Sequence, residues 1–365
     1  MTMRPHLFSL LLCSVWSVPG SAMDSGAEKL TVTEIAGGFE EPWGIGHLPD
    51  GGILVTERDG AVIYLRADGS RVSLAGVPEV VADGQGGLLD VMIPRDFEES
   101  REVFMTFVAS EGNGVGTALG VGRLNADGTG FESFTKLWQM APHPGEGRHF
   151  GSRIVEAPDG HIFLTTGDRG DRPSAQDLGN HNGAVIRLER SGHTPSDNPL
   201  VDRPDAEPDI YSYGHRNPQG AALDLNGDLW VVEHGARGGD EVNKIIAGAN
   251  YGWPVISYGR HYSGAKIGEG TEQPGMEQPQ HYWDPSIAPS GMMVYSGALW
   301  PEWEGDIFVG SLKFDYISRL SGDDLNEVEQ LTSAETGRVR DVVEGPEGAI
   351  WFLSVENGAL YKITP

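Results

Sequence analysis

Three stretches of this chain combine residue types that could do chemistry. Arg148-His149-Phe150-Gly151-Ser152-Arg153 places a histidine among arginines, and Tyr213-Gly214-His215-Arg216-Asn217-Pro218-Gln219-Gly220 contains a second His-Arg pair. Glu233-His234-Gly235-Ala236-Arg237-Gly238-Gly239-Asp240-Glu241-Val242-Asn243 is rich in acids and glycine. An imidazole can exchange a proton near neutral pH. Carboxylates and the carbonyls of a Gly-rich turn suit a hard cation such as calcium. The bland alternatives are a structural histidine, one of 11 in the chain, and a solvated acidic loop. His234 does not argue for a transition metal, because no suitably spaced histidines accompany it.

The charge balance narrows the ligands. The chain has 26 Lys and Arg against 53 Asp and Glu, a formal charge of −27. Such a field repels nucleic acid and anionic membrane surfaces. A small anionic ligand would therefore need a local cluster of Arg and Lys. The only cysteine, Cys13, falls in an N-terminal stretch that reads as an export signal: Arg4 supplies early charge, residues 7–18 are apolar, and Gly20-Ser21-Ala22 offers small residues for cleavage. The apolar run is too short to span a bilayer, and Leu12 is too bulky for a lipoprotein site. The reading is a signal peptide over residues 1–22, cleaved after Ala22, and one catalytic domain over 23–365. The mature protein is then soluble, periplasmic or secreted, without membrane insertion. With Cys13 removed, thiol catalysis, disulfides and Cys-ligated metals drop out together.

The elements that must position these stretches are strands. Gly accounts for 52 of 365 residues and Pro for 23, so long uninterrupted helical runs are few. A hydrophobic content of 39 %, with 9 Trp, 10 Tyr and 12 Phe, can build a sizeable core. One phrase, a turn followed by a short β-rich run, occurs six times, starting at Asp50, Ser100, Asp159, Asn226, Glu304 and Glu347. The starts are separated by about 43 to 78 residues, a propeller-blade period with insertions. Asp59-Gly60 and Asn357-Gly358 mark hairpins to a following strand. The pattern predicts an all-β six-bladed β-propeller with four-stranded antiparallel blades; the competing arrangement is a β-sandwich or two unrelated β domains. The longest insertions follow the third and fourth copies, where the polar stretches gather, as expected of binding loops on a rigid scaffold.

Those stretches, together with Pro42-Trp43-Gly44, Gly84-Gln85-Gly86-Gly87-Leu88-Leu89, Asn250-Tyr251-Gly252-Trp253-Pro254, Ser290-Gly291-Met292 and Arg338-Val339-Arg340-Asp341, resemble the soluble pyrroloquinoline quinone (PQQ)-dependent sugar dehydrogenases, in particular their bacterial aldose branch. The resemblance covers nearly the whole mature chain and implies a six-bladed propeller that holds PQQ and calcium on one face. It implies PQQ contacts from Gln85, Arg216, Asn217, Tyr262, Lys313, Arg338 and Arg340, and His149 as the catalytic base. It also implies calcium ligation beside PQQ by the carbonyls of Gly235 and Ala236, and a second calcium at Glu241 and Tyr251, the latter through its carbonyl. The residue types fit: PQQ is a tricarboxylate ortho-quinone, and four of those seven contacts are cationic. Without the resemblance, Arg338 and Arg340 could equally share one solvated strand face. Two departures stand out, Arg148 before the histidine and Asp315 two positions beyond Lys313, where relatives carry a short polar residue and a basic one.

The resemblance thus implies oxidation of an aldose sugar at the anomeric carbon to a lactone, with electrons passing to an unidentified acceptor. Two other functions compete. A calcium-dependent lactonase on a six-bladed propeller needs no cationic cluster, and a non-catalytic propeller would bind a protein or glycan on its loop face.

Overall fold

Every copy of the turn-strand phrase forms the second strand of a sheet. In the computed structural model, which describes residues 20–365 apart from 24, 27–28, 113 and 142–146, these strands are Ile53–Glu57, Glu102–Glu111, Ile162–Thr165, Leu229–Glu233, Ile307–Ser311 and Ile350–Ser354. Four of the six are buried along their whole length, which is why they read as short apolar runs. Each lies between an inner strand and a third strand in an antiparallel sheet, giving six blades. The inner strands are Pro42–His47, Leu88–Met92, Ile154–Glu156, Pro218–Leu223, Pro289–Val294 and Val339–Glu344. Each contacts the next, and the last contacts the first, so the ring closes.

Closure of the sixth blade joins the two ends of the chain. Leu30–Gly37 pairs with Ala359–Thr364, from Thr31 opposite Thr364 to Gly37 opposite Ala359. Ser21–Met23 adds a fifth strand outside Leu30–Gly37. The expected cleavage position after Ala22 falls within that outermost strand, and the blade keeps four strands without it. Arg4, the apolar run and Cys13 lie outside the described residues. Among the described residues no helix is long and apolar enough to cross a membrane.

Apolar side chains fill the spaces between blades, as with Tyr295, Trp300, Trp303, Phe308 and Phe352 between the fifth and sixth. The centre of the ring is polar. Arg153 of the third blade is 6 % exposed and pairs with Asp90 of the second at 2.8 Å and with Asp341 of the sixth at 3.0 Å. Its Nε donates to the carbonyl of Gln219 in the fourth blade. In antiparallel order, alternate connections emerge on the same face. The links from one blade to the next therefore share a face with the second-to-third-strand turns, and this face carries Gln85, His149, Arg216, the Glu233–Asp240 turn, Lys313 and Arg338.

Candidate active site

His149 sits on the link into the third blade with φ 55°, a left-handed conformation that costs a residue with a Cβ about 1–2 kcal/mol. Its backbone N–H donates to Gln85 Oε1 at 2.8 Å, which holds that turn. Gly167 makes the close approach possible: a Cβ there would lie 2.1 Å from the carbonyl oxygen of His149. The next residue, Asp168, is fully buried and meets His149 Nδ1 at 2.6 Å through Oδ1. Asp168 Oδ2 accepts the indole N–H of Trp253 at 2.8 Å, and Oδ1 also accepts the N–H of Gly170. The carboxylate is therefore fixed on both oxygens. It selects the His149 tautomer with the proton on Nδ1, so Nε2 keeps a lone pair for a substrate proton.

Electrostatics keep that base neutral. Burial pulls the His149 pKa below the ordinary imidazole value, and Arg216 and Arg148 add to the depression, against the upward pull of Asp168. Burial pushes Asp168 upward, yet its bond to His149 and the charge of Arg216 hold it below the usual carboxylate range. An ionised carboxylate orienting a neutral imidazole is the arrangement general-base chemistry requires.

Beside this pair lie two adjoining hollows of about 240 Å³ and 750 Å³ that share His234 and Ala288. Gln85, Asn217, Arg338 and Arg340 line the smaller. Tyr262, Lys313, Gly235 and Ala236 line the larger. Arg216 joins the two sets, since its Nη1 donates to the carbonyls of His234 and Gly235. Asn217 Oδ1 accepts the N–H of Gly151 at 3.2 Å, anchoring the turn after His149. Tyr262 is 70 % exposed. The structure thus brings His149 and all seven residues expected to touch the cofactor to one face.

Arg58, on the wall of the smaller hollow, pairs with Glu41, whereas the cationic side chains expected to meet the cofactor bond to neutral groups. Arg340 donates to Gln219 Oε1, Arg338 to the Leu312 carbonyl and Lys313 to the Ser286 carbonyl. Burial, reinforced by Arg338 and Arg153, depresses Arg340 to about 9. A desolvated guanidinium beside like charges is a binding element for an anion. Arg338 lies just outside the strand, with φ 50°, so the two arginines do not simply alternate along one strand face. Asp315 lines neither hollow; its carboxylate accepts the backbone N–H of Arg338.

For the metal, the Gly235 and Ala236 carbonyls lie on the wall of the larger hollow, in a turn so tight that a Cβ on Gly235 would meet two carbonyl oxygens at 2.2 Å. Glu241 stands directly opposite Glu233 across two antiparallel strands. Burial and the Glu233 charge push the Glu241 carboxyl well above its ordinary range. The neighbouring Asn243 Oδ1 is buried with no donor. Facing carboxylates with an unsatisfied oxygen beside them suit a hard cation. The Tyr251 hydroxyl is already bonded to Lys244 O and Ile246 N and its ring stacks on His215, leaving its carbonyl as the group it can offer. His181, Glu207 and Asp209 also gather, but Ala141 N–H donates to His181 Nδ1, so Nε2 carries the proton that faces Asp209 at 2.9 Å. That tautomer offers no lone pair to a metal.

Asp168 escapes the sequence reading, and Gln219, though part of the second stretch, carries no role there. Gly167-Asp168-Arg169-Gly170 looks like any polar turn, and only its close approach to His149 gives it meaning.

A closed propeller bearing a carboxylate-oriented histidine beside a cationic cleft suits a general base next to an anionic ligand, and the comparisons with known proteins give the class of protein. The sequence model of the family described as Glucose / Sorbosone dehydrogenase matches residues 39–362. The aldose sugar dehydrogenase YliI of Escherichia coli is 39 % identical over 355 residues, covering 94 % of this chain and 95 % of that protein. The crystal structure of the soluble aldose sugar dehydrogenase from Escherichia coli in its apo form superposes with a TM-score of 0.89 at 38 % identity, over 92 % of this chain and 99 % of that one. The PQQ-bound aldose sugar dehydrogenase of Streptomyces coelicolor gives 0.77 at 25 % identity, over 92 % and 98 %. The chain belongs to the glucose/sorbosone dehydrogenase family and is an oxidoreductase.

Proposed function

We propose that this protein oxidises aldose sugars at the anomeric carbon to lactones, with PQQ and calcium as cofactors and His149 as general base. The observation that carries the reading is the His149–Asp168 pair beside a cleft in which Arg340, Arg338 and Lys313 bond to neutral groups. When bound, PQQ supplies a two-electron quinone acceptor for the anomeric hydride, and calcium polarises that quinone. Lys313, Arg338, Arg340 and Arg216 would hold PQQ through its negative charge, with Gln85, Asn217 and Tyr262 completing the contacts. Gly235 and Ala236 offer carbonyls to the calcium beside the cofactor, while Glu241 and the Tyr251 carbonyl hold a structural one. His149 Nε2 takes the proton of the anomeric hydroxyl, and Asp168 stabilises the imidazolium that results. Export through residues 1–22 places this chemistry in the periplasm or outside the cell, where a separate acceptor removes the electrons.

The test is to add PQQ and calcium to metal-free protein and screen aldoses with an artificial electron acceptor. Sugar-dependent dye reduction requiring both additions is expected. Lactone hydrolysis that needs calcium and ignores PQQ would overturn the proposal.

A further inference from the structure

The larger hollow holds more positive charge than the proposed cofactor contacts explain. Arg237 and Arg260 line it, and neither belongs to the residues assigned to PQQ. They stand opposite each other on an antiparallel bridge closed by the Arg237 N–H to the Arg260 carbonyl at 3.0 Å. Arg260 is bridged in turn to Lys266, again antiparallel. Three cations therefore occupy consecutive cross-strand positions, where like charges directly opposite are destabilising. This chain has twice as many acids as bases, so carboxylate partners would be easy to supply. Among the described residues no ion pair joins any of the three to a carboxylate, although at least eleven other Lys and Arg side chains have one.

The charges of the two hollows decide what could neutralise them. Their walls carry Arg58, Arg237, Arg260, Lys313, Arg338 and Arg340 against the carboxylates of Glu41 and Asp284. Six cations against two anions leave an excess of four, and PQQ brings three carboxylates. A calcium ion restores two positive charges, so the loaded site still attracts an anion. Tyr262, 70 % exposed, presents an aromatic face on the same wall. Next to it, His261 Nδ1 accepts from Arg172 Nη1 at 2.7 Å, and Arg172 lies over Trp253, whose indole N–H holds Asp168 behind the base. A chain of contacts thus links the wall beside the hollow to the catalytic pair, and at about 750 Å³ the hollow has room for a monosaccharide.

We propose that the preferred substrate is an aldose carrying a negative charge remote from the anomeric carbon, a carboxylate or a phosphate, gripped by Arg237 and Arg260. The inference rests on the aldose oxidation proposed above and adds the substrate class. The redox step is unchanged: hydride leaves C1 for the quinone, the hydroxyl proton goes to His149, the C1 carbonyl of the lactone forms, and the anionic group takes no part. A guanidinium pair matches either oxyanion through bidentate bonds.

The experiment compares kcat/KM of the PQQ- and calcium-loaded protein for glucose, glucuronate and glucose 6-phosphate at low and high salt, in wild type, Arg237→Gln, Arg260→Gln and the double variant. At low salt at least one anionic sugar should exceed glucose by tenfold or more, mainly through KM, and salt should erode the advantage. Whether glucuronate or the phosphate leads identifies the charge. The double variant should lower the anionic-to-neutral ratio at least tenfold. Methyl glucuronide, which has no free anomeric hydroxyl, should inhibit competitively where methyl glucoside does not. Glucose oxidised as well as both anionic sugars by the wild type would overturn the inference and leave the aldose reading standing. An unchanged ratio in the double variant would remove Arg237 and Arg260 from it. Failure to oxidise any of the three sugars would sink the aldose reading, and this inference with it.

Discussion

Asp315 Oδ1 accepts the backbone N–H of Arg338 at 2.8 Å, across 23 residues and two blades. A carboxylate at a position where a cation is expected thus holds the turn from which Arg338 reaches the cleft, and the Asp315 carbonyl accepts the Thr336 hydroxyl on the same link. Both Asp315 and Arg338 have positive φ, near 59° and 50°, so neither turn holds itself. Asp315→Ala should weaken PQQ binding about 3- to 10-fold, as expected for losing a hydrogen bond of about 1 kcal/mol at an exposed site. Asp315→Asn, which keeps an acceptor, should stay within about twofold. The check is PQQ titration of the calcium-loaded apoprotein; tighter binding by the Ala variant would mean that the carboxylate acts by repelling the cofactor.

Lys313 offers a direct measure of how the site grips an anion. It is exposed, its Nζ donates to the Ser286 carbonyl, and it lies 4.6 Å from the Phe314 ring centroid. If PQQ desolvates it, Lys313→Ala should weaken binding roughly 10- to 100-fold, the range of a charge-assisted bond. An effect below about fivefold that vanishes in high salt would describe a screened surface charge.

The pH dependence follows from the base. His149 must be neutral to act, and its pKa lies below the ordinary imidazole value, so turnover should persist below pH 6.5 and fall only as pH drops through the depressed pKa. Arg148→Asn removes a depressing charge and should move that acidic limb upward. Asp168→Asn removes the upward pull and should move it downward, while lowering the plateau about tenfold or more through loss of the oriented tautomer. His149→Ala should lose roughly 10² or more in turnover with PQQ binding retained. Two limbs that coincide with wild type would detach Arg148 and Asp168 from the base.

How much of this could be read in the sequence depends on burial. The second strand of each blade announces itself because it is largely enclosed, four of the six along their whole length, and follows a turn. Outer strands do not: Arg71–Ser73 is three residues long and mostly exposed, and Asn326–Leu331 alternates exposed and half-buried positions. Closure by Leu30–Gly37 pairs residues more than 320 apart, which no local pattern encodes. In the site, His149 and the cations carry distinctive neighbours, whereas Asp168 acquires its role from a contact only Gly167 permits. The opposed pairs Glu233–Glu241 and Arg237–Arg260 are likewise invisible until register is known.

The Glu233–Glu241 pair makes metal dependence measurable without activity. A carboxyl whose folded pKa is raised costs stability as pH climbs above its unfolded value, so the metal-free protein should lose stability with rising pH from about the ordinary glutamate range. Calcium at 100 times its Kd should restore about 2.7 kcal/mol. Glu241→Gln should flatten the pH slope of the metal-free protein and reduce the calcium-induced rise in Tm. A full calcium response in that variant would place the ion elsewhere.

The central charge cluster should behave in the opposite way to a surface ion pair. Arg153, Asp90 and Asp341 are 6 %, 3 % and 1 % exposed, and the two carboxylates also accept the backbone N–H groups of Ile154 and Ile45. Burial and Asp341 push Asp90 up to about 6 even with Arg153 beside it. Arg153→Met leaves two desolvated carboxylates facing each other and should cost about 3–5 kcal/mol, the usual result of removing one partner of a buried pair. Adding Asp90→Asn and Asp341→Asn removes those charges while keeping oxygen acceptors for the two N–H groups, and should recover most of the loss. The Gln219 carbonyl would still lack the Arg153 Nε, so Gln219, which also bonds Arg340 and the Gly151 carbonyl, would be less firmly held in the triple variant. Recovered Tm with weakened PQQ binding is therefore the expected signature, read by thermal unfolding and cofactor titration on the same samples. Full recovery of both would mean that the cluster supports the ring without positioning the site.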